Sequence, residues 1–124
     1  MSPTSSGETD KQYSAALEEN LKKALTELLV LKLLAEKDCY IGELSAAIHD
    51  RSNGALTVVF PYGAIYRLQQ AGYITEKEKR NAPDGRRRQY FTVTREGKTY
   101  LDQLLRTYAR FAQGIADILA GGER

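Results

Sequence analysis

Asp84-Gly85-Arg86-Arg87-Arg88-Gln89-Tyr90-Phe91-Thr92-Val93-Thr94-Arg95-Glu96-Gly97 packs the end of a turn, a strand and the start of a helix into fourteen residues. The turn begins upstream, at Asn81-Ala82-Pro83-Asp84-Gly85, where a preset φ, an Asx acceptor and a glycine coincide. Gln89 to Val93 reads as a strand returning from that turn, and the alternating stretch Tyr73 to Lys79 as the strand leading into it. Thr94 has the chemistry of an N-cap, with Glu96 in the first turn where a helix dipole favours a carboxylate. The passage is therefore a β-hairpin with arginines at its tip and on its return arm, joined directly to a helix.

Charge singles out the same passage. The chain of 124 residues has a net charge of +2, yet residues 76–95 carry seven basic and three acidic residues. Residues 1–39 are net negative, and the two remaining segments are neutral. A basic cluster on an otherwise near-neutral chain points to a phosphate-bearing partner, although arginines on a solvated turn would give the same count.

Upstream of the hairpin the pattern is helical. Residues 1–12 lack periodicity and are expected to form a disordered tail. From Tyr13 to Glu36, Leu17, Leu21, Leu25, Leu28, Leu31 and Leu34 recur at helical spacing. Leu29, Val30 and Leu33 widen this stripe, so the second half needs cover on more than one side. A second helix is expected from Ile41 to Arg51, ended by Ser52-Asn53-Gly54, with Gly54 suited to positive φ. Ala55 to Phe60 is a connector longer than a tight helix-turn-helix bend. A third helix follows from Pro61, well placed in a first turn, to Ala71, with Gly72 as the stop. Were Thr57 the N-cap instead, Pro61 would sit at the fourth helical position and remove a backbone hydrogen bond.

Downstream, Arg95 to Leu119 carries Leu101, Leu104, Tyr108, Phe111, Ile115 and Ile118 at alternating spacings of three and four. The rest of so small a domain cannot cover all of such a seam, so residues 95–120 are expected to form a dimerisation helix, the alternative being an ordinary amphipathic helix packed on its own domain. Tyr100, Tyr108 and Phe111 could line an effector cavity between subunits, or serve there as plain core.

The expected fold is mainly α with a small β-hairpin: a winged helix-turn-helix domain over residues 13–94, followed by the C-terminal helix. Three segments resemble the PadR family of bacterial transcriptional regulators. Tyr40-Ile41-Gly42-Glu43-Leu44 is similar to the opening of that family's second helix. Phe60-Pro61-Tyr62-Gly63-Ala64-Ile65-Tyr66-Arg67-Leu68, with Gly72-Tyr73-Ile74, resembles its recognition helix and following strand. Asp84 to Gly97 resembles its wing signature GRRRKYYRLTEEG. The resemblance implies the short branch of the family: a homodimeric repressor on a palindromic operator, released by a small aromatic or hydrophobic effector or another signal. There are two departures. Many members open the recognition helix with Ser-Pro-Gly-Thr-Leu-Tyr, where this chain has Thr57-Val58-Val59-Phe60-Pro61-Tyr62. The chain also lacks Trp, so an aromatic pocket would be built from Tyr and Phe.

On this reading the DNA-binding candidates are Tyr62, Tyr66, Arg67, Gln69 and Gln70 on the third helix and Arg86, Arg87 and Arg88 on the wing. Gln pairs bidentately with adenine, Tyr meets phosphates, and guanidinium forks match phosphate oxygens. Arg67 fits either a phosphate contact or a structural ion pair. Strand alternation turns at least one of the three wing arginines away from DNA, and Arg86 is nearest the tip. One Cys (Cys39) and one His (His49) exclude a disulfide framework and a Cys/His zinc cluster, so no metal and no cofactor is expected. The sequence holds no nucleophile–base set, P-loop or GxGxxG, which argues against an enzyme. No apolar run reaches the ~18 residues of a membrane helix, and the first ten residues lack a leader's pattern, so a cytoplasmic protein is expected. The alternative is a winged-helix module that binds a protein partner through its basic wing, without specific DNA binding.

Overall fold

The computed structural model describes residues 7–121, with side chains from Ala15 onward. Its elements are α1 (Gly7–Glu36), α2 (Ile41–Arg51), α3 (Tyr62–Gln70), β1 (Ile74–Asn81), β2 (Arg87–Val93) and α4 (Arg95–Leu119). This is a winged helix-turn-helix, mostly helical, with a two-stranded antiparallel hairpin and a C-terminal helix. The helix α1 starts at Gly7, which corrects the expected tail of residues 1–12 over residues 7–12; residues 1–6 lie outside the described residues. Once the leucine-rich part of α1 is helical, each further residue adds one hydrogen bond without a new nucleus.

The central element is α1, which packs against α2, α3, β2 and α4. Its Val30, Leu31, Leu33 and Leu34 are buried together with Leu44 and Ile48 of α2, Ile65 and Leu68 of α3, Ile74, Phe91 and Leu101. Each such side chain contributes ~1.5–3 kcal/mol of transfer free energy. The covering of α1 is therefore uneven: its second half is enclosed, whereas Leu17 and Leu21 remain exposed.

The local signals act where they occur. Asn53 and Gly54 both take positive φ after α2, and the Gly54 N–H donates to His49 O at 2.8 Å. Pro61 is the residue before α3 and not its first helical residue, so the helix starts one position later than expected. Thr94 caps α4, its hydroxyl accepting from the Gly97 N–H at 3.0 Å and donating to Gly72 O at 2.7 Å. The hairpin is longer than its alternation suggested, reaching Asn81 on one arm and Arg87 on the other, with an irregularity between Glu76 and Lys79. Cys39 adds a bridge on the outer edge of β2: its N–H donates to Phe91 O at 3.2 Å, and the Phe91 N–H to Cys39 O at 2.9 Å. This pairing ties the hairpin to the junction of α1 and α2.

Candidate nucleic-acid interface

The helix α3 buries Ala64, Ile65 and Leu68 and turns Tyr62, Tyr66 and Gln70 outward in one row, with Gly63 and Arg67 beside them. Gln69 is half-buried on the flank. Arg67 is ion-paired through Nε to Glu27 of α1, while its side chain stays more than half exposed. The geometry therefore supplies the ion-pair alternative for Arg67 and leaves guanidinium nitrogens accessible. A Cβ on Gly63 would meet Arg67 Nη1 at 3.4 Å, so the glycine leaves the guanidinium room along the helix.

In the wing, the three arginines separate. Arg86 lies in the turn and Arg87 at the start of β2, both exposed. Arg88 folds back, its Nη2 donating to Asp84 Oδ2 at 2.7 Å and its guanidinium lying 5.3 Å from the Tyr40 ring. Asp84 also accepts from the Arg86 N–H at 3.0 Å, which closes the turn that Gly85 completes at φ 84°. These bonds, that from Arg88 foremost, hold the Asp84 carboxyl below the usual carboxylate range. Arg80, on the opposite arm, lies 4.2 Å over the Tyr90 ring and pairs with Asp38 at 3.4 Å and Glu78 at 3.2 Å. Tyr40 and Tyr90 meet edge to face at 5.5 Å. The inner face of the hairpin, towards its turn, is thus a cation–π ladder joining both strands to the start of α2, and the Nε atoms of Arg80 and Arg88, buried without hydrogen-bond partners among the described residues, lie against it. Sequence reasoning singled out none of Tyr40, Asp38 or Arg80 for this role, because their partners are distant in the chain.

The chain matches the transcriptional regulator PadR-like family over residues 30–103, which span α1 to α4 and hold both α3 and the wing. It belongs to the PadR-like family. An uncharacterized protein of Lysinibacillus sphaericus is 31% identical over 96 residues, covering 76% of this chain and 86% of that one. A transcriptional regulator from Clostridium thermocellum is similar in structure, with 25% identity, a TM-score of 0.70, and coverage of 79% of this chain and 96% of that one. A PadR family regulator from Eggerthella lenta, 21% identical, has the same fold at a TM-score of 0.76 over 94% of this chain and all of the other. This PadR-like chain is accordingly a DNA-binding transcriptional regulator, from a family that consists of regulators and not, in general, of enzymes.

A second surface of this PadR-like protein lies away from the wing. Of the α4 seam, Leu101 is buried and Leu104 half-buried, whereas exposure runs from 49% at Tyr108 through Phe111 and Ile115 to 77% at Ile118. Tyr100, Tyr108 and Phe111 line one apolar groove of about 730 Å³ between α4 and α1, together with Leu21, Leu25, Leu28 and Glu27. Tyr100 is fixed by stacking on Tyr73, at 4.2 Å between ring centres, and burial raises its hydroxyl pKa. Among the described residues no helix is long and apolar enough to cross a membrane.

Proposed function

We propose that this PadR-like regulator is a homodimeric, sequence-specific repressor that acts in the cytoplasm on a palindromic operator. In this reading Tyr62, Tyr66, Arg67, Gln69 and Gln70 face the major groove from α3, and Arg86 and Arg87 engage flanking phosphates. Arg88 supports the wing through Asp84 and adds charge near the backbone. Dimerisation through Leu104, Tyr108, Phe111, Ile115 and Ile118 would cover the apolar stripe of α4, whose first member, Leu101, is already taken up by the chain's own core. The observation that carries the reading is the separation of two surfaces: exposed cations and polar side chains on α3 and the wing, and an exposed apolar seam along α4. A small aromatic or hydrophobic effector would enter the groove beside Tyr100, Tyr108 and Phe111. Glu27 supports such coupling, since it lines that groove and also pairs with Arg67 of α3.

Fluorescence anisotropy against the duplex upstream of the chain's own gene, with a scrambled duplex alongside, tests the DNA half. Specific binding at physiological salt is expected. Replacing Arg86 and Arg87 by Ala should weaken all duplexes alike and lower the salt slope by ~1 for each phosphate that is no longer neutralised. Binding that ignores sequence, with capture of a defined protein partner, would move the function to a protein-interaction module. Sedimentation tests the other half: wild type is expected as a dimer, and Phe111→Arg as a folded monomer.

A further inference from the structure

The exposed large apolar side chains of the described residues fall into two groups. One lies along α1 and α4. The other is Val59, Phe60, Tyr62 and Tyr66, each between 59% and 63% exposed, at the entrance to α3 and along its outer row. Clustered exposed apolar surface marks a place where something binds. The α4 seam is assigned above to a second subunit. The patch at the start of α3 has no cover from the described residues.

That patch is built rather than left loose. Pro61, at φ −80° and ψ 49°, forms an inverse γ-turn in which the Tyr62 N–H donates to Phe60 O at 2.8 Å. Proline has no N–H to leave unsatisfied there. The turn sets the Phe60 and Tyr62 rings side by side, 5.7 Å apart and inclined by 29°. The connector is anchored on both sides, by Ser45, whose hydroxyl donates to Val59 O, and by Lys22, whose Nζ donates to Thr57 O at 3.0 Å. Phe60 is therefore held before any partner arrives, which lowers the ordering cost of binding.

The surroundings select the partner. Val59, Phe60 and Pro61 share one shallow depression with Lys22, Lys23, Arg67 and Glu19; Lys22 pairs with Glu19 and Arg67 with Glu27, and the rim stays net positive through Lys23. An apolar centre with a cationic rim suits an apolar group recessed between anionic ones. The patch is also continuous with the Tyr62–Tyr66–Gln70 row of the helix that faces DNA in the reading above. In a DNA major groove the apolar group available between the phosphate ridges is the thymine C5-methyl. We infer that Phe60, with Val59 beside it, is a specificity-determining residue that reads a thymine through its methyl group. This rests on α3 as the DNA-reading helix.

The test starts from a random duplex pool, from which the full chain selects its own binding sequences. Each thymine of an enriched duplex is then replaced singly by deoxyuridine, which removes the methyl and keeps the base pair. At one or more thymines, wild-type affinity should fall about fourfold, the equivalent of ~0.8 kcal/mol for one buried CH₂-sized group. Phe60→Ala should bind the thymine and deoxyuridine duplexes alike at that position, with an unchanged salt slope, and Phe60→Leu should recover part of the discrimination. Phe60 is exposed and precedes α3, so Phe60→Ala should melt as wild type does. Indifference of the wild type to every deoxyuridine overturns the thymine contact alone. Discrimination that persists at every thymine in Phe60→Ala overturns it too. Failure to enrich any duplex removes the DNA reading as well.

Discussion

Gly97 closes the stretch that decides the fold, and the structure gives it a task that can be measured. A Cβ there would lie well inside van der Waals contact of the Tyr73 carbonyl oxygen, 2.7 Å from Val93 Cγ2 and 3.0 Å from the Tyr73 carbonyl carbon. Tyr73 cannot withdraw freely. Its oxygen accepts the Thr94 N–H at 3.0 Å, its own N–H donates to Leu68 O at 2.9 Å, and its ring stacks on Tyr100. Overpacking costs ~1–3 kcal/mol, and a backbone obstacle puts Gly97→Ala near the upper end. The better helix propensity of Ala returns ~1 kcal/mol, leaving a net loss of about 2 kcal/mol. Urea unfolding followed by circular dichroism, at one fixed protein concentration, should show the midpoint falling by ~1 M at a slope of ~2 kcal/mol/M. Gly114→Ala is the internal control: none of the described residues lies within 4 Å of its Cβ position, so it should gain up to ~1 kcal/mol. A Gly97→Ala midpoint at or above wild type would refute the packing argument. Equal losses in the two variants would refute it as well, because they would show a general intolerance of α4.

Two further expectations concern titratable groups. Arg51, at 2.6 Å, and Lys32, at 3.2 Å, hold the Glu36 carboxyl down to about 2 from its ordinary 4.5. A depressed carboxylate stabilises the fold above its unfolded value and loses that contribution as pH falls. The difference in melting temperature between wild type and Glu36→Gln should therefore shrink between 4.5 and about 2; a gap independent of pH would contradict the pairing. Burial, with Glu43 second, pushes the Cys39 thiol up to about 11, so the native protein should react slowly with a thiol-directed disulfide reagent at neutral pH and rapidly in urea. Rapid labelling without urea would place Cys39 outside the core.

Local chemistry made part of this fold legible. The bounds of α2 and α4 follow from signals within a few residues of each end: Asn53 and Gly54 at positive φ after one helix, Thr94 capping the other. The strand bounds were less legible because β1 has one buried residue, Ile74, and otherwise mostly exposed side chains. Its length is set by pairing with β2, which the outward residues of β1 do not record. The site shows the same division. The pattern on α3 places Tyr62, Tyr66 and Gln70 outward, but the partner of Arg67 lies 40 residues earlier in the chain, and Asp38, which ties Arg80 to the body of the domain, lies 42 earlier. Arg86, Arg87 and Arg88 look alike in sequence. They are separated by the parity of β2 and by Asp84, four residues before Arg88 and facing it.

That separation bears on how the wing would work. Among residues 76–95, Arg80 and Arg88 are compensated by Asp38, Glu78 and Asp84, whereas among the described residues no ion pair engages Arg86 or Arg87. Acidic side chains therefore act on the inner face of the hairpin and at the turn, where they fix shape, and no described acidic side chain pairs with the two outermost arginines. On the proposed reading the wing tip supplies affinity that is blind to sequence, through counterion release, and α3 supplies the choice of sequence. Added salt would then lower the affinities for cognate and scrambled duplexes together where the phosphate contacts are shared. Discrimination carried by an apolar contact such as that of Phe60 would survive, because removing a methyl releases no counterion. The two arms of the interface can thus be separated without altering the protein, by following the cognate-to-deoxyuridine affinity ratio as salt is raised: the affinities fall and the ratio stays.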